Sequence, residues 1–200
     1  MNEPAAGADR AGPGAGRLPT LKPDDLTPDQ RALHSRIMTG PRREHATFFP
    51  VADDDGVLSG PYRAMLLSPD VGGALERVGV AVRYESTVPP AVRELAILMV
   101  ARHCRCQVEW RAHEALARAS GVPGVTIETL AAGDPPTLVG DEARVTHAFV
   151  HELLVDNRVS DETFGRAVAL LSLAGVFELI VTVGYYQIIA GVNNAFDLSG

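Results

Sequence analysis

Apolar positions along this chain recur at three- and four-residue intervals, in runs set apart by proline, glycine and short polar stretches. That spacing places side chains on one face of an α-helix, which turns once per ~3.6 residues. Thr27-Pro28-Asp29-Gln30 reads as a capping box with proline at the first helical position, ahead of Leu33 and Ile37. Ser68-Pro69-Asp70 starts another helix, predicted to present Leu75, Val78 and Val82 on one face. Val88-Pro89-Pro90 opens a third, whose Leu95, Ile97, Leu98, Val100 and Ala101 are apolar nearly all round, so it belongs in the core. The helix carrying His113 should end at Gly121, and Pro123–Ala132 reads as a short helix closed by Gly133. Gly140–Asn157 has Val145, Phe149, Leu153 and Leu154 at helical spacing, and Ser160-Asp161-Glu162 caps the helix after it.

Two stretches are less direct. Gly175–Asn194 is rich in β-branched and aromatic residues, and propensity alone would make it a strand. Its length decides for a helix, since strands average about six residues. Thr39–Pro61 is a long irregular connection containing Pro41, Pro50 and the turn Asp53-Asp54-Asp55-Gly56, and so long a loop in a small domain is often functional. No strand alternation is convincing and no repeat is visible. The predicted fold is all-α.

Composition narrows the function classes. With 200 residues and 46% apolar content the chain suits one domain, expected over residues 21–200 behind a flexible Gly-, Ala- and Pro-rich tail at 1–20. A net charge of −7 argues against unspecific binding to nucleic acid or anionic membrane. The candidate membrane span, Ala174–Ala190, contains Glu178 and Gln187, which a lipid-facing helix would carry at a cost of several kcal/mol. A helix buried inside a homo-oligomer is the expectation instead. Cys104 and Cys106 sit two apart, where a disulfide would be strained, so a reducing cytoplasm is expected.

The chemistry concentrates in Arg93–Ser120. Cys106, Glu109 and His113 are separated by three, four and seven residues, which predicts one thiol, one carboxylate and one imidazole along one stripe. His113 can act as general acid or base with Glu109 as its orienter, or be a surface histidine with an incidental carboxylate one turn away. Glu94, among apolar neighbours, needs a partner. It is a second proton relay or an ion pair with Arg93. Cys106, near a helix start and beside Arg105, has reason for a lowered thiol pKa, though a pocket-lining or inert cysteine is the plainer reading. Glu94, Glu109 and His113 with His45 or His103 could hold a metal, but no spacing demands it and none is expected. Arg102, Arg105, Arg111 and Arg118 form a basic patch able to grip an anionic substrate, or a solvated face. Trp110, Tyr185, Tyr186 and Asn193 complete the candidates, as pocket, interface or core.

The segment Arg93-Glu94-Leu95 followed by Cys106-Gln107-Val108-Glu109-Trp110-Arg111-Ala112-His113 resembles the carboxymuconolactone decarboxylase family, which includes the alkylhydroperoxidase D-type proteins. The resemblance extends from about Gly60-Pro61-Tyr62 through Gly184-Tyr185-Tyr186 to Phe196. It implies that Glu94 is the family's proton-relay glutamate and His113 its histidine. Cys106 stands at the first cysteine of C-x-x-C, with Glu109 at the second, as in the E-W-x-x-H branch. It further implies an alkylhydroperoxidase D-like helical bundle assembled as a trimer or a multiple of trimers. The expected activity is acid–base chemistry of decarboxylase or lyase type on a small carboxylated or carbonyl-bearing substrate, with no organic cofactor. The alternatives are a peroxidase using Cys106 and a non-catalytic binding or assembly protein.

Overall fold

The computed structural model describes residues 17–44 and 50–198. Met1–Gly16, most of the expected tail, and His45 lie outside the described residues. The helices are α1 (Pro28–Thr39), α2 (Pro41–Glu44), α3 (Gly60–Met65), α4 (Pro69–Val80), α5 (Pro90–His103), α6 (Gln107–Ala119), α7 (Gly124–Ala132), α8 (Asp141–Val155) and α9 (Asp161–Ala195). A π-helical turn, Ala81–Glu85, continues α4. No strand occurs among the described residues, only an isolated bridge between Ala52 and Leu58 across the acidic turn. The fold is all-α.

Local signals set most helix starts. Thr27 and Gln30 form the reciprocal cap of α1, with Gln30 accepting from the Thr27 backbone N–H at 2.9 Å. Proline stands in the first turn of α1, α3, α4 and α5. Ser160 caps α9 through the Thr163 N–H. Helix α5 is the central post: Glu94 through Ala101 are all buried, and α6, α8 and α9 pack around it. Ile97, Leu98, Phe149 and Leu179 are fully enclosed where they meet.

Helix α4 departs from expectation. Val78 is 39% exposed, and the buried face is Gly72, Gly73, Glu76 and Gly79. The glycines are there for close approach. A Cβ at Gly72 would overlap the Met65 backbone, and one at Gly79 would overlap the Arg42 guanidinium and the Tyr185 hydroxyl. Of the three expected positions, Val82, in the π turn, is buried and Leu75 is half-buried against the core.

Helix α9 joins the two predicted C-terminal helices at Ser172, whose φ of 68° and ψ of 169° break the helical path. The Ser172 hydroxyl accepts from the Gly175 N–H and so recaps the chain beyond the break. By length and hydropathy α9 could cross a membrane. Its inner face instead supplies core residues Val176, Leu179, Val183 and Ile189, and Glu178 is held by Ser86 and the Thr87 N–H. Leu173, Phe177, Ile180 and Ile188 form an outward apolar stripe. The expected tail ends sooner than residue 20: Leu18 is buried, and Arg17 donates to the carbonyls of Phe196 and Ala195.

Candidate active site

Helix α5 must stop and reverse before α6 can bring His113 back over Glu94. The stop is a left-handed residue, Arg105 at φ 54°, with the Cys106 N–H closing onto the Ala101 carbonyl at 2.8 Å. His113 Nδ1 then lies 2.7 Å from Glu94 Oε2. A carboxylate at that distance requires the imidazole proton on Nδ1, so in the neutral ring Nε2 carries the lone pair. Glu109 Oε2 is 3.6 Å from Nε2. The orienting carboxylate is therefore Glu94, and the assignment of that role to Glu109 is corrected. An i,i+4 neighbour on the same helix reaches the ring less well than a residue facing it from α5.

The two carboxylates have different surroundings. Burial alone would raise the Glu94 pKa, but contact with His113 and the charges of Arg83 and Arg93 outweigh it and hold Glu94 below the ordinary carboxylate range. Arg93 lies 3.7 Å from Glu94, so the ion pair weighed as an alternative exists beside the histidine contact. Glu109 is held by a neutral group, the Asn193 side-chain amide, which donates to Oε1 at 2.7 Å. Glu94 sits behind His113 and does not line the cleft. Its contact is with the imidazole, which corrects the expectation that Glu94 and His113 face the same pocket.

In front of His113 is a cleft of about 80 Å³. A water needs roughly 10–15 Å³ of such space, so several waters or a small ligand fit. Glu109, His113, Tyr185 and Tyr186 line it together with Arg42, Tyr62 and Arg83, which sequence reasoning missed. Arg83 Nη1 is 3.2 Å from His113 Nε2 and donates to the Tyr186 hydroxyl at 3.0 Å. Arg83 lies in the π turn, and its adjacency to an apolar helical run was its signal in the sequence. Arg42, buried on the short α2, was signalled only by its place in the long Thr39–Pro61 connection. The Tyr186 ring meets the His113 ring edge-on at 4.9 Å.

Cys106, Trp110 and Arg105 are not in this cleft. They border a separate depression with Arg102. Cys106 is the residue before α6 begins, so helical spacing does not carry it onto the His113 face. Burial pushes its thiol up, more than the Glu109 and Val108 backbone N–H groups bring it down, which corrects the expected lowering. Trp110 donates to Glu114, and Arg118 pairs with the same carboxylate. The patch of Arg102, Arg105, Arg111 and Arg118 does not line the cleft. Among the described residues no group of three or more His, Cys, Asp or Glu side chains is arranged to hold a metal ion.

Residues 69–150 match the sequence model of the carboxymuconolactone decarboxylase family. Over that segment the chain is similar to the family. Glu94, Glu109, His113 and Arg83 lie inside the matched segment, whereas Arg42, Tyr62, Tyr185, Tyr186 and Asn193 lie outside it. The fold is similar to the crystal structure of an alkylhydroperoxidase AhpD core, an uncharacterized peroxidase-related protein from Ralstonia eutropha JMP134. That likeness has a TM-score of 0.69 and 13% identity, over 92% of this chain and 90% of that one. Comparison with curated proteins finds no match.

Proposed function

We propose that this chain is a member of that family and an acid–base enzyme of decarboxylase or lyase type, acting on a small carboxylated or carbonyl-bearing molecule without an organic cofactor. The observation that carries the reading is His113, fixed from behind by Glu94 and facing a cleft that also presents Arg42 and Arg83. An anionic substrate is drawn in by the two guanidinium groups. When its carbon–carbon bond to carboxylate breaks, the electron pair moves into the adjacent carbonyl as an enolate. His113 Nε2, once protonated, delivers its proton to the carbon, and Glu109 stabilises the imidazolium while the ring is charged. An isomerase or hydratase step would use the same groups.

Release of carbon dioxide or loss of substrate absorbance, followed over small keto- and lactone-acids, tests the reading. His113→Ala should lower kcat by about 10²–10⁴-fold while leaving the fold intact. Cys106→Ala should lower it least. Hydroperoxide reduction with a dithiol donor that vanishes in Cys106→Ser would establish the peroxidase alternative, and absence of any turnover the binding-protein one. We further infer a homo-oligomer, expected to be trimeric, in which the outward stripe of α9 is covered by other copies. Phe177→Asp should then yield a monomer in light scattering.

A further inference from the structure

Three phenols of the cleft share an unusual hydrogen-bonding state. Arg42 Nη1 donates to the Tyr62 hydroxyl at 3.0 Å and Arg42 Nη2 to the Tyr185 hydroxyl at 3.3 Å. Arg83 Nη1 donates to the Tyr186 hydroxyl at 3.0 Å. A guanidinium can only donate, so in each contact the phenol oxygen is the acceptor and the O–H hydrogen is left over. None of these hydrogens meets an acceptor among the described residues. Tyr185 and Tyr186 are buried, where an unmatched donor costs free energy. Arg42 repeats the pattern: its side chain is 4% exposed, its Nε has no hydrogen-bond partner among the described residues, and the Glu76 carboxylate stands 3.9 Å from it. These groups line one cleft with His113.

Resting on the acid–base reading above, we propose that Tyr62, Tyr185 and Tyr186, backed by Arg42 and Arg83, form an oxyanion-binding pole of the cleft that takes a planar, enolate-like oxygen of the ligand while His113 serves the carbon. The backing arrangement matters. A phenol whose oxygen accepts from a cation is a stronger donor through its own hydrogen. Burial raises the Tyr185 and Tyr186 phenol pKa values, more than the arginines lower them, so both remain protonated donors at neutral pH. The phenols lend hydrogen bonds and lose no proton. Negative charge on the ligand oxygen is balanced by the arginines one atom further back. Gly79 fits the same purpose, since a side chain there would occupy the contact between Arg42 and Tyr185.

The test uses 4-nitrophenol, whose phenolate resembles an enolate and absorbs in the visible, and needs no turnover. Titration into the wild-type protein just below the probe's own pKa should ionise the bound probe, so the phenolate band grows on binding. Tyr185→Phe and Tyr62→Phe should each weaken phenolate binding about tenfold, as removal of one hydrogen bond to a charged group does. His113→Ala should retain it. Circular dichroism of each variant verifies the fold, and Tyr62, half-buried, is the substitution with less effect on packing. Absence of binding, binding of the neutral phenol only, or phenolate binding unchanged in both Phe variants overturns the proposal. Phenolate binding lost in His113→Ala but not in the Phe variants overturns it too, by placing the anion on the imidazolium. Each of those results leaves the acid–base reading to its own kinetic test.

Discussion

Glu94→Gln is the substitution that most directly probes the buried charge arrangement. The carboxylate is 2% exposed, lies 2.7 Å from His113 Nδ1 and 3.7 Å from Arg93 Nε, and shares the field of Arg83. Breaking a buried pair by removing one charge costs about 3–5 kcal/mol, because the surviving charge is left uncompensated. The amide oxygen still accepts from Nδ1–H, so the lower end applies, about 3 kcal/mol at neutral pH. For a domain of this size that is a fall in Tm of roughly 6–12 °C. The loss should depend on pH. Glu94 has a folded pKa below its unfolded value near 4.5, so its charge stabilises the fold fully above that value and less as pH falls through the folded one. Protonated Glu94 is nearly isosteric with glutamine, so the gap between wild type and variant should narrow on acidification below the unfolded value. Urea unfolding of both proteins from neutral pH downward measures it. A gap under 1 kcal/mol at neutral pH, or one that stays constant into acid, would refute the reasoning.

Arg105→Gly should stabilise the fold by about 1 kcal/mol, since Arg105 adopts a left-handed conformation that glycine enters freely; a lower urea midpoint would count against it. Gly79→Ala should destabilise by about 1–3 kcal/mol through overpacking and also weaken 4-nitrophenolate binding, because the new methyl group displaces the Arg42–Tyr185 contact. Thiol alkylation of the native protein should modify Cys104 before Cys106, since Cys106 is 1% exposed and Cys104 is only partly covered; mass mapping of labelled peptides reads the order.

Most of the fold could be read from the chain because helix starts and stops are local events. Pro28, Pro69 and Pro90 open helices, Gly133 closes one, and neither needs a distant partner. Helix α4 misled because hydropathy weighs large side chains, while its buried face works by having none at Gly72 and Gly79. The site was half legible. Spacing finds neighbours on one helix, and Glu109 and His113 are such a pair. It is blind to what an opposing helix contributes, so the closer partner, Glu94, received the wrong role. Cys106 was misplaced because the spacing argument ran one residue past the start of α6. Arg42 and Tyr62 carried only indirect signals, the long Thr39–Pro61 connection and the Gly60-Pro61-Tyr62 motif, and distant contacts bring them to the cleft.

Helical proteins ordinarily fold fast, because most of their contacts are short-range along the chain. The polar contacts of this cleft are the opposite. Glu109 meets Asn193 across 84 residues, Arg83 meets Tyr186 across 103, and Arg42 meets Tyr185 across 143. A partly folded chain can therefore own intact helices while Glu109 and the two guanidinium groups still lack the partners that α9 brings. Each such group, if buried early, is penalised until α9 docks. Docking of α9 thus completes the polar contacts of the cleft and the tertiary structure together.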